Sequence, residues 1–505
     1  MKSKLVLFSA GLLIVLSVSA AFAFDFTELE NAVSERTLDN GLKIIVMERH
    51  DAPVASFVTW ANVGGVDDPK EYTGLAHMFE HMAFKGTEML GSKNIEEELK
   101  LIAVEDSLFM QLRAERNKGR MADSARLAEL EEAYDAAREA SFELVVPNAY
   151  GELIDREGGV GLNAFTAADM TVYFYSLPSN KVELWMALES ERFFKPVLRE
   201  MYKERDVITE ERRMVYESRP FGRAFEELRC MSFKAHPYGV PGIGHMSDIL
   251  NYSREGAKEF FDKYYVPSNL VVAIVGDVEP KKVFELAEEY WGRIPYSPHP
   301  ERIATVEPEQ QGERRMILED PSQPLMMISY HIPDAQHPDN PAIDAFMDYL
   351  CGGRTSVLYK SMVKEKKNAL VIQGSADFLA GKYPTIAVLL AMPAQGHTNA
   401  ECEQDIYEGI KFLQENLIPD EDVEKIKARA KSAFIAGGGF GGGLNSNLGL
   451  AMQLAAYQTD TGNWRNLFTE LDRINAVTAE DIQRVAREYF TQDNRNVVFM
   501  NNAES

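Results

Sequence analysis

From Glu35 to Gly64 apolar and polar residues alternate, giving two strands on either side of a polar turn at Glu48 to Ala52. An apolar helical segment follows, GLAHMFEHMAFKGT from Gly74 to Thr87, with Gly86 as its stop signal. Residues Asn94 to Leu144 are rich in Glu, Ala, Leu, Arg and Lys and are interrupted by Asn117-Lys118-Gly119, so they read as two long helices forming a hairpin. In NAFTAADMTVYFYSLP the residues Val172, Phe174 and Ser176 alternate with Thr171, Tyr173 and Tyr175, the pattern of a strand. An acidic amphipathic helix, KVELWMALESERFFKPVL, is followed by a second helix spanning Glu200 to Glu217. Strands that lead into helices and return to strands predict an α+β fold, with helices on one face of a mainly antiparallel sheet.

The pattern then repeats. Ser253, Glu255 and Tyr265 in the first half match Thr478, Glu480 and Phe490 in the second at identical spacing, each set leading through a helix and an Asn-containing turn into an apolar strand. Two homologous domains follow from this, the first over residues 24–295 and the second over 315–505, joined by a linker at 296–314. The hairpin at 94–144 is an insertion in the first domain. It reads either as a solvated helical appendage or as an arm that binds a partner or gates substrate.

The chemistry lies in the first apolar helix, where His77, Glu80 and His81 stand in the order H-x-x-E-H. Positions i and i+4 share a helix face, so both imidazoles can reach one metal ion with Glu80 beside them. Two neutral His nitrogens, a carboxylate from elsewhere and an open position for water make a zinc hydrolase centre, with Glu80 as general base. The second half has no such motif: DNPAIDAFMDYLCGG places Ala342, Ala345 and Phe346 where the helix should recur. The other histidines, including His236, show no ligand spacing.

This motif and its surroundings closely resemble the insulinase/pitrilysin family of metallopeptidases, in particular its two-domain, processing-peptidase-like members. The resemblance runs through LDNGLKIIV, VGGVDDP, NAFTAADMTVY, ERDVITEE, AHPYGVPGIG and YYVPSNLVVAIVGDV. It implies one zinc per chain, with Glu211 as the third ligand beside His77 and His81 and with Glu204 supporting the site. Glu210 is the rival, one residue away and about 100° round the helix. The resemblance also implies that Asn163, Ala164, Phe165 and Thr166 form an edge to which a peptide substrate adds as a strand. An Arg/Tyr pair that the family places in the second domain falls here on Val363 and Leu370 of MVKEKKNAL. Substitution by Lys364, weak activity, or a homodimer or heterodimer in which a related subunit supplies the pair are the three explanations. The implied substrate is a peptide or unfolded segment; the competing function is a non-catalytic scaffold or a peptide-binding subunit of the same fold.

Composition narrows the setting. A net charge of −25 argues against a nucleic-acid partner. Three cysteines are too few for a disulfide framework or a Cys-rich zinc site, though one disulfide could form. Lys2 and Lys4, the apolar run from Leu5 to Ala20 and Ala21-Phe22-Ala23 fit a signal peptide over residues 1–23, hence export to the periplasm, or secretion, with no membrane span after its removal. The GGGFGGG stretch at 437–443 lacks a phosphate-loop context and reads as a hinge or a substrate-contacting loop.

Overall fold

The computed structural model describes residues 26–376, 378–379, 381–437 and 443–502. The proposed signal peptide lies outside them, as does most of the glycine stretch. The strands are β1 (Val33–Thr37), β2 (Lys43–Glu48), β3 (Val54–Ala61), β4 (Val160–Thr166), β5 (Thr171–Pro178), β6 (Leu270–Gly276), β7 (Arg314–Asp320), β8 (Leu325–Ile332), β9 (Ala369–Ser375), β10 (Thr385–Pro393) and β11 (Arg495–Asn502). They form two sheets, in the orders β1-β2-β6-β3-β5-β4 and β7-β11-β8-β10-β9. Apart from β2/β6 and β7/β11, which are parallel, the pairs are antiparallel. Removing β1 leaves the same order in both sheets, so the α+β fold with two homologous domains is explicit in the strand topology.

Two strands depart from the expected pattern. Glu35 to Val46 is a hairpin of β1 and β2 rather than one strand, turned at Asn40-Gly41, where Gly41 has φ 91°. The stretch from Asn163 to Pro178 likewise folds back on itself as β4 and β5, with the Ala167 N–H donating to the Met170 carbonyl at 2.9 Å to close the turn.

Each sheet packs one face on helices of its own half. In the first, Ile44, Phe57, Tyr175 and Ile274 meet Leu75, Phe79, Trp185 and Phe261. In the second, Met326, Ile328 and Tyr330 meet Phe346, Leu350, Ile406 and Val485. The opposite faces are covered by exchange. Helix Asn447–Thr461 of the second half lays Leu450 and Leu454 on Ile45, Val58, Phe174 and Ala273 of the first sheet. Helix Pro220–Ser232 of the first half lays Ala224 and Leu228 on Met327, Ile386, Val388 and Val498 of the second sheet. Both sheets are therefore buried on both sides.

The predicted hairpin forms helices Ile95–Arg116 and Ser124–Phe142. Asn94 accepts from the Glu97 N–H to start the first, and Asp123 accepts from Ala125 and Arg126 to start the second. The pair is not a solvated appendage. Phe109, Leu112, Leu130 and Tyr134 pack on Tyr202, and the buried carboxylates of Glu98 and Glu105 pair with Arg199 and Arg254. All three cysteines are free. Among the described residues no helix is long and apolar enough to cross a membrane.

Candidate metal centre

The motif residues lie on helix Leu75–Met82. Asp68 fixes its start: the Gly74 N–H donates to Oδ2 at 2.6 Å and the Ala76 N–H to Oδ1 at 2.9 Å. Gly74 has φ 94°, and a Cβ there would meet the Ile243 carbonyl oxygen at 2.3 Å, so only glycine fits this entry. Leu75, Ala76, Met78, Phe79 and Met82 turn into the core, which leaves His77, Glu80 and His81 on the half-buried side. A second helix, Met201–Arg212, buries Tyr202, Glu204 and Ile208 and brings Glu211 to the same place. Its chain continues as a π-helical turn, Arg213–Glu217.

His77 Nε2 lies 3.7 Å and His81 Nε2 3.4 Å from Glu211 Oε2. Ligands about 2.0–2.1 Å from a tetrahedral zinc stand about 3.3 Å from one another, so these separations fit the ion's own geometry. Among the described residues this trio is the one set of His, Cys, Asp or Glu whose ligand atoms converge, all within 4.8 Å. Glu210 points the other way, exposed and paired with Arg213. On the far side of His81, Nδ1 lies 3.4 Å from Glu204 Oε2, and Glu204 Oε1 accepts from Lys85 Nζ at 2.5 Å. A carboxylate behind a ligating imidazole fixes its tautomer and ring orientation. His77 has no such support: its buried Nδ1 has no hydrogen-bond partner.

The electrostatics follow from these contacts. Burial pushes the His77 imidazole well below its usual range against the pull of Glu211, which suits a neutral metal ligand. Burial also opposes charge on His81, but Glu204 and Glu211 outweigh it and raise its pKa to about 9 without metal. Hydrogen bonding to His81 holds Glu211 below the usual carboxylate range. Glu204 is likewise lowered, its burial outweighed by His81 and Lys85. Glu80 behaves oppositely: burial raises it, partly offset by hydrogen bonds from the Thr166 side chain and backbone.

Thr166 ends β4, which is the outer strand of its sheet and exposes Val160, Gly161 and Asn163. The stretch Asn163, Ala164, Phe165 and Thr166 thus runs along an open edge toward Glu80. Among the described residues no hydrogen bond or ion pair joins the other anticipated groups to the trio or to Glu80. Val363 sits half-buried in the helical segment Tyr359–Glu365, Leu370 is exposed on β9, and the Lys364 ammonium stands 6.0 Å from the Tyr359 ring centroid. His236 is buried against Tyr238 and Tyr383. Sequence reasoning missed Asp68 and Lys85. Asp68 and Lys85 lie in VGGVDDP and MAFKGT beside the motif, where polar residues among glycines mark capping and turn positions.

Residues 43–111 and 146–244 match the family described as Insulinase (Peptidase family M16), and residues 251–430 match the one described as Peptidase M16 inactive domain. The unmatched gap, 112–145, takes in the end of the first hairpin helix and all of the second, while residues 94–111 lie inside the match. The chain is 25% identical over 480 residues to a protein of Helicobacter pylori called zinc protease PqqE, covering 92% of this chain and 91% of that one. It is 24% identical over 301 residues to the mitochondrial-processing peptidase subunit beta of Lentinula edodes, covering 58% of this chain and 51% of that one. A solved structure of a protease from Helicobacter pylori superposes with a TM-score of 0.75 at 24% identity, covering 93% of this chain and 99% of that one.

Proposed function

The chain belongs to the insulinase (M16) family of peptidases, and from that premise we propose that it is a zinc-dependent endopeptidase acting on peptides or unfolded polypeptide segments. One observation carries the reading: two imidazoles of one helix and the Glu211 carboxylate of another converge at ligand spacing, with Glu80 beside them and an open strand edge leading to Glu80. His77, His81 and Glu211 hold one zinc per chain, and Glu204 orients His81. Zinc bound there supplies a Lewis acid that polarises a carbonyl and acidifies water to a pKa of about 7.

The protein's own groups do the rest. A peptide adds to β4 as a further strand through the backbone of Asn163 to Thr166, with alternate side chains facing the cleft. Thr166, at the end of that strand, holds the Glu80 carboxyl down against the effect of burial, so the strand that aligns the substrate also borders the base. Glu80 takes the proton of the attacking water and passes it to the leaving nitrogen, and its raised pKa suits both halves of that transfer. The residues at the Arg/Tyr places, Val363 and Leu370, can neither ion-pair with substrate nor donate a side-chain hydrogen bond to a developing oxyanion. A second, related subunit that carries Arg and Tyr at these places supplies that pair in a heterodimer. The N-terminal pattern directs the chain to the periplasm.

Zinc content and cleavage of a quenched fluorogenic peptide library, measured on mature protein purified alone, test this. One zinc with turnover supports a self-sufficient peptidase and removes the need for a partner. One zinc without turnover supports the paired form, and turnover should then appear on adding a related subunit bearing Arg and Tyr. Absence of zinc supports the scaffold reading and overturns the proposal.

A further inference from the structure

The buried guanidinium of Arg199 uses all five of its N–H donors, and their targets join the hairpin to the metal centre. Nε donates to Glu98 Oε1 at 2.8 Å and Nη2 to Glu98 Oε2 at 3.3 Å. Nη1 donates to the carbonyls of Lys85 and Leu90, and Nη2 to that of Thr87, each at 2.9 Å. Glu98 belongs to the first helix of the hairpin and is fully buried, so Arg199 is its ion-pair partner inside the protein. The segment after the motif helix is wrapped round this guanidinium. A Cβ on Gly86 would meet Arg199 Nη1 at 2.8 Å, and one on Gly91 would meet it at 3.0 Å. Leu198 and Glu200, on either side of Arg199, hold left-handed backbone at φ 53° and 59°, a conformation that persists where surrounding contacts impose it. The wrapped segment starts at Lys85, whose ammonium bonds Glu204, which in turn faces His81 Nδ1.

We propose that Glu98 of the hairpin is a positioning residue for the metal centre, acting through Arg199 and the Lys85–Leu90 segment to set Lys85 on Glu204 and so the orientation of His81. The inference rests on the zinc reading above and extends it to the hairpin. Without the Glu98 carboxylate the guanidinium is left buried with two unmatched donors and the segment loses its anchor. Partners of this kind behind a metal ligand typically change metal affinity by about 10- to 100-fold.

The test is a double-mutant cycle on the full mature chain. Zinc affinity is read by chelator competition well below the melting temperature for wild type, Glu98→Gln, Lys85→Met and the double variant. Amide hydrogen exchange at Thr87 and Leu90, which bond each other, is followed in metal-free protein. Glu105→Gln, which weakens the other buried pair of the hairpin with Arg254, is the control. The expected result is a loss of zinc affinity of about 10-fold or more in Glu98→Gln. That loss should be non-additive with Lys85→Met, with faster exchange at Thr87 and Leu90 and unchanged affinity in Glu105→Gln. A lower melting temperature with zinc affinity unchanged, or additive losses, would mean that Glu98 only braces the fold. A wild type that binds no zinc overturns the metal reading itself, which the exchange data on metal-free protein then separate from the integrity of the Arg199 anchor.

Discussion

Helix Leu75–Met82 and helix Asn340–Cys351 occupy the same place, each following the inner strand, β3 or β8, from which its sheet fans out. In the first, positions 77, 80 and 81 are His, Glu and His, half-buried and facing Glu211. In the second, the matching Ala342, Ala345 and Phe346 are buried, and the Phe346 ring packs 4.2 Å from Phe490 between ring centroids. Helix Asp420–Ala436, which corresponds to the Glu211 helix, offers Val423, Ile426 and Lys427 to a cavity of about 990 Å³ beside it. Turning a helix toward chemistry or toward the core takes a few side chains, and the backbone plan survives either choice. The polar version gives up apolar contacts that the Phe version retains, which is why the two halves should respond to mutation in opposite ways.

The sharpest contrast is in activity. Glu80→Gln should lower turnover by about 100- to 10,000-fold while zinc stays bound, as read by peptide cleavage and metal analysis on one preparation. Glu211→Gln should lose zinc, whereas Glu210→Gln, which touches only Arg213, should keep it. If the two exchanged behaviour, the ligand would have to be moved by one residue.

Stability should show the reverse pattern. Phe346→Ala should cost about 3–5 kcal/mol in denaturant unfolding, with zinc content per folded chain unchanged. His81→Ala should abolish zinc binding at a much smaller cost to the metal-free fold. Comparable losses from both would mean that the first helix depends on its packing as heavily as the second does.

The exchanged helices set the next scale. Leu454→Ala and Leu228→Ala should each cost about 2–5 kcal/mol, since both side chains are fully buried. Each should destabilise the half it covers as well as the half it comes from, giving a single unfolding transition by near- and far-UV circular dichroism. Two separated transitions would show that the halves fold independently despite the exchange.

The smallest effect concerns the junction of the halves and depends on pH. Burial raises the Asp67 pKa to about 6, with Lys382 of the second half pulling it down and Asp169 pushing it up. An acid whose pKa is raised on folding disfavours the folded state once ionised. Its penalty is absent below the unfolded value of about 3.9, grows as pH rises toward 6 and is fully present above it. Asp67→Asn should therefore raise the melting temperature at pH 7 but not at pH 4, by up to about 3 kcal/mol in stability. An equal shift at both pH values would rule this out.

Much of this is legible in the chain because the determinants are local. H-x-x-E-H specifies a helix face by spacing alone, and the matched Ser253 and Thr478 positions mark the repeat because both cap helices, accepting from Gly256 and Asp481. What is not legible depends on residues far apart in sequence. No pattern in Glu98 or Arg199 announces that they meet. The covering of each sheet by the other half leaves one trace: Leu270–Gly276 has no polar position, as a strand buried on both faces requires. The β1 strand merges with β2 in the sequence pattern because its polar, half-exposed residues carry little apolar alternation.

The exchange of Pro220–Ser232 and Asn447–Thr461 also has a bearing on how the chain is made. The first sheet is complete once β6 has emerged, yet its outer face stays open to water until residues near the C-terminus arrive. A chain emerging from its N-terminus therefore carries a large sticky surface from the end of β6 until helix Asn447–Thr461 appears, a state prone to aggregation unless something else holds it. Its half-products cannot mature early. A polypeptide of this design remains unfinished until its last hundred residues or so are available, which favours post-translational handling by holdase chaperones over domain-by-domain folding during translation.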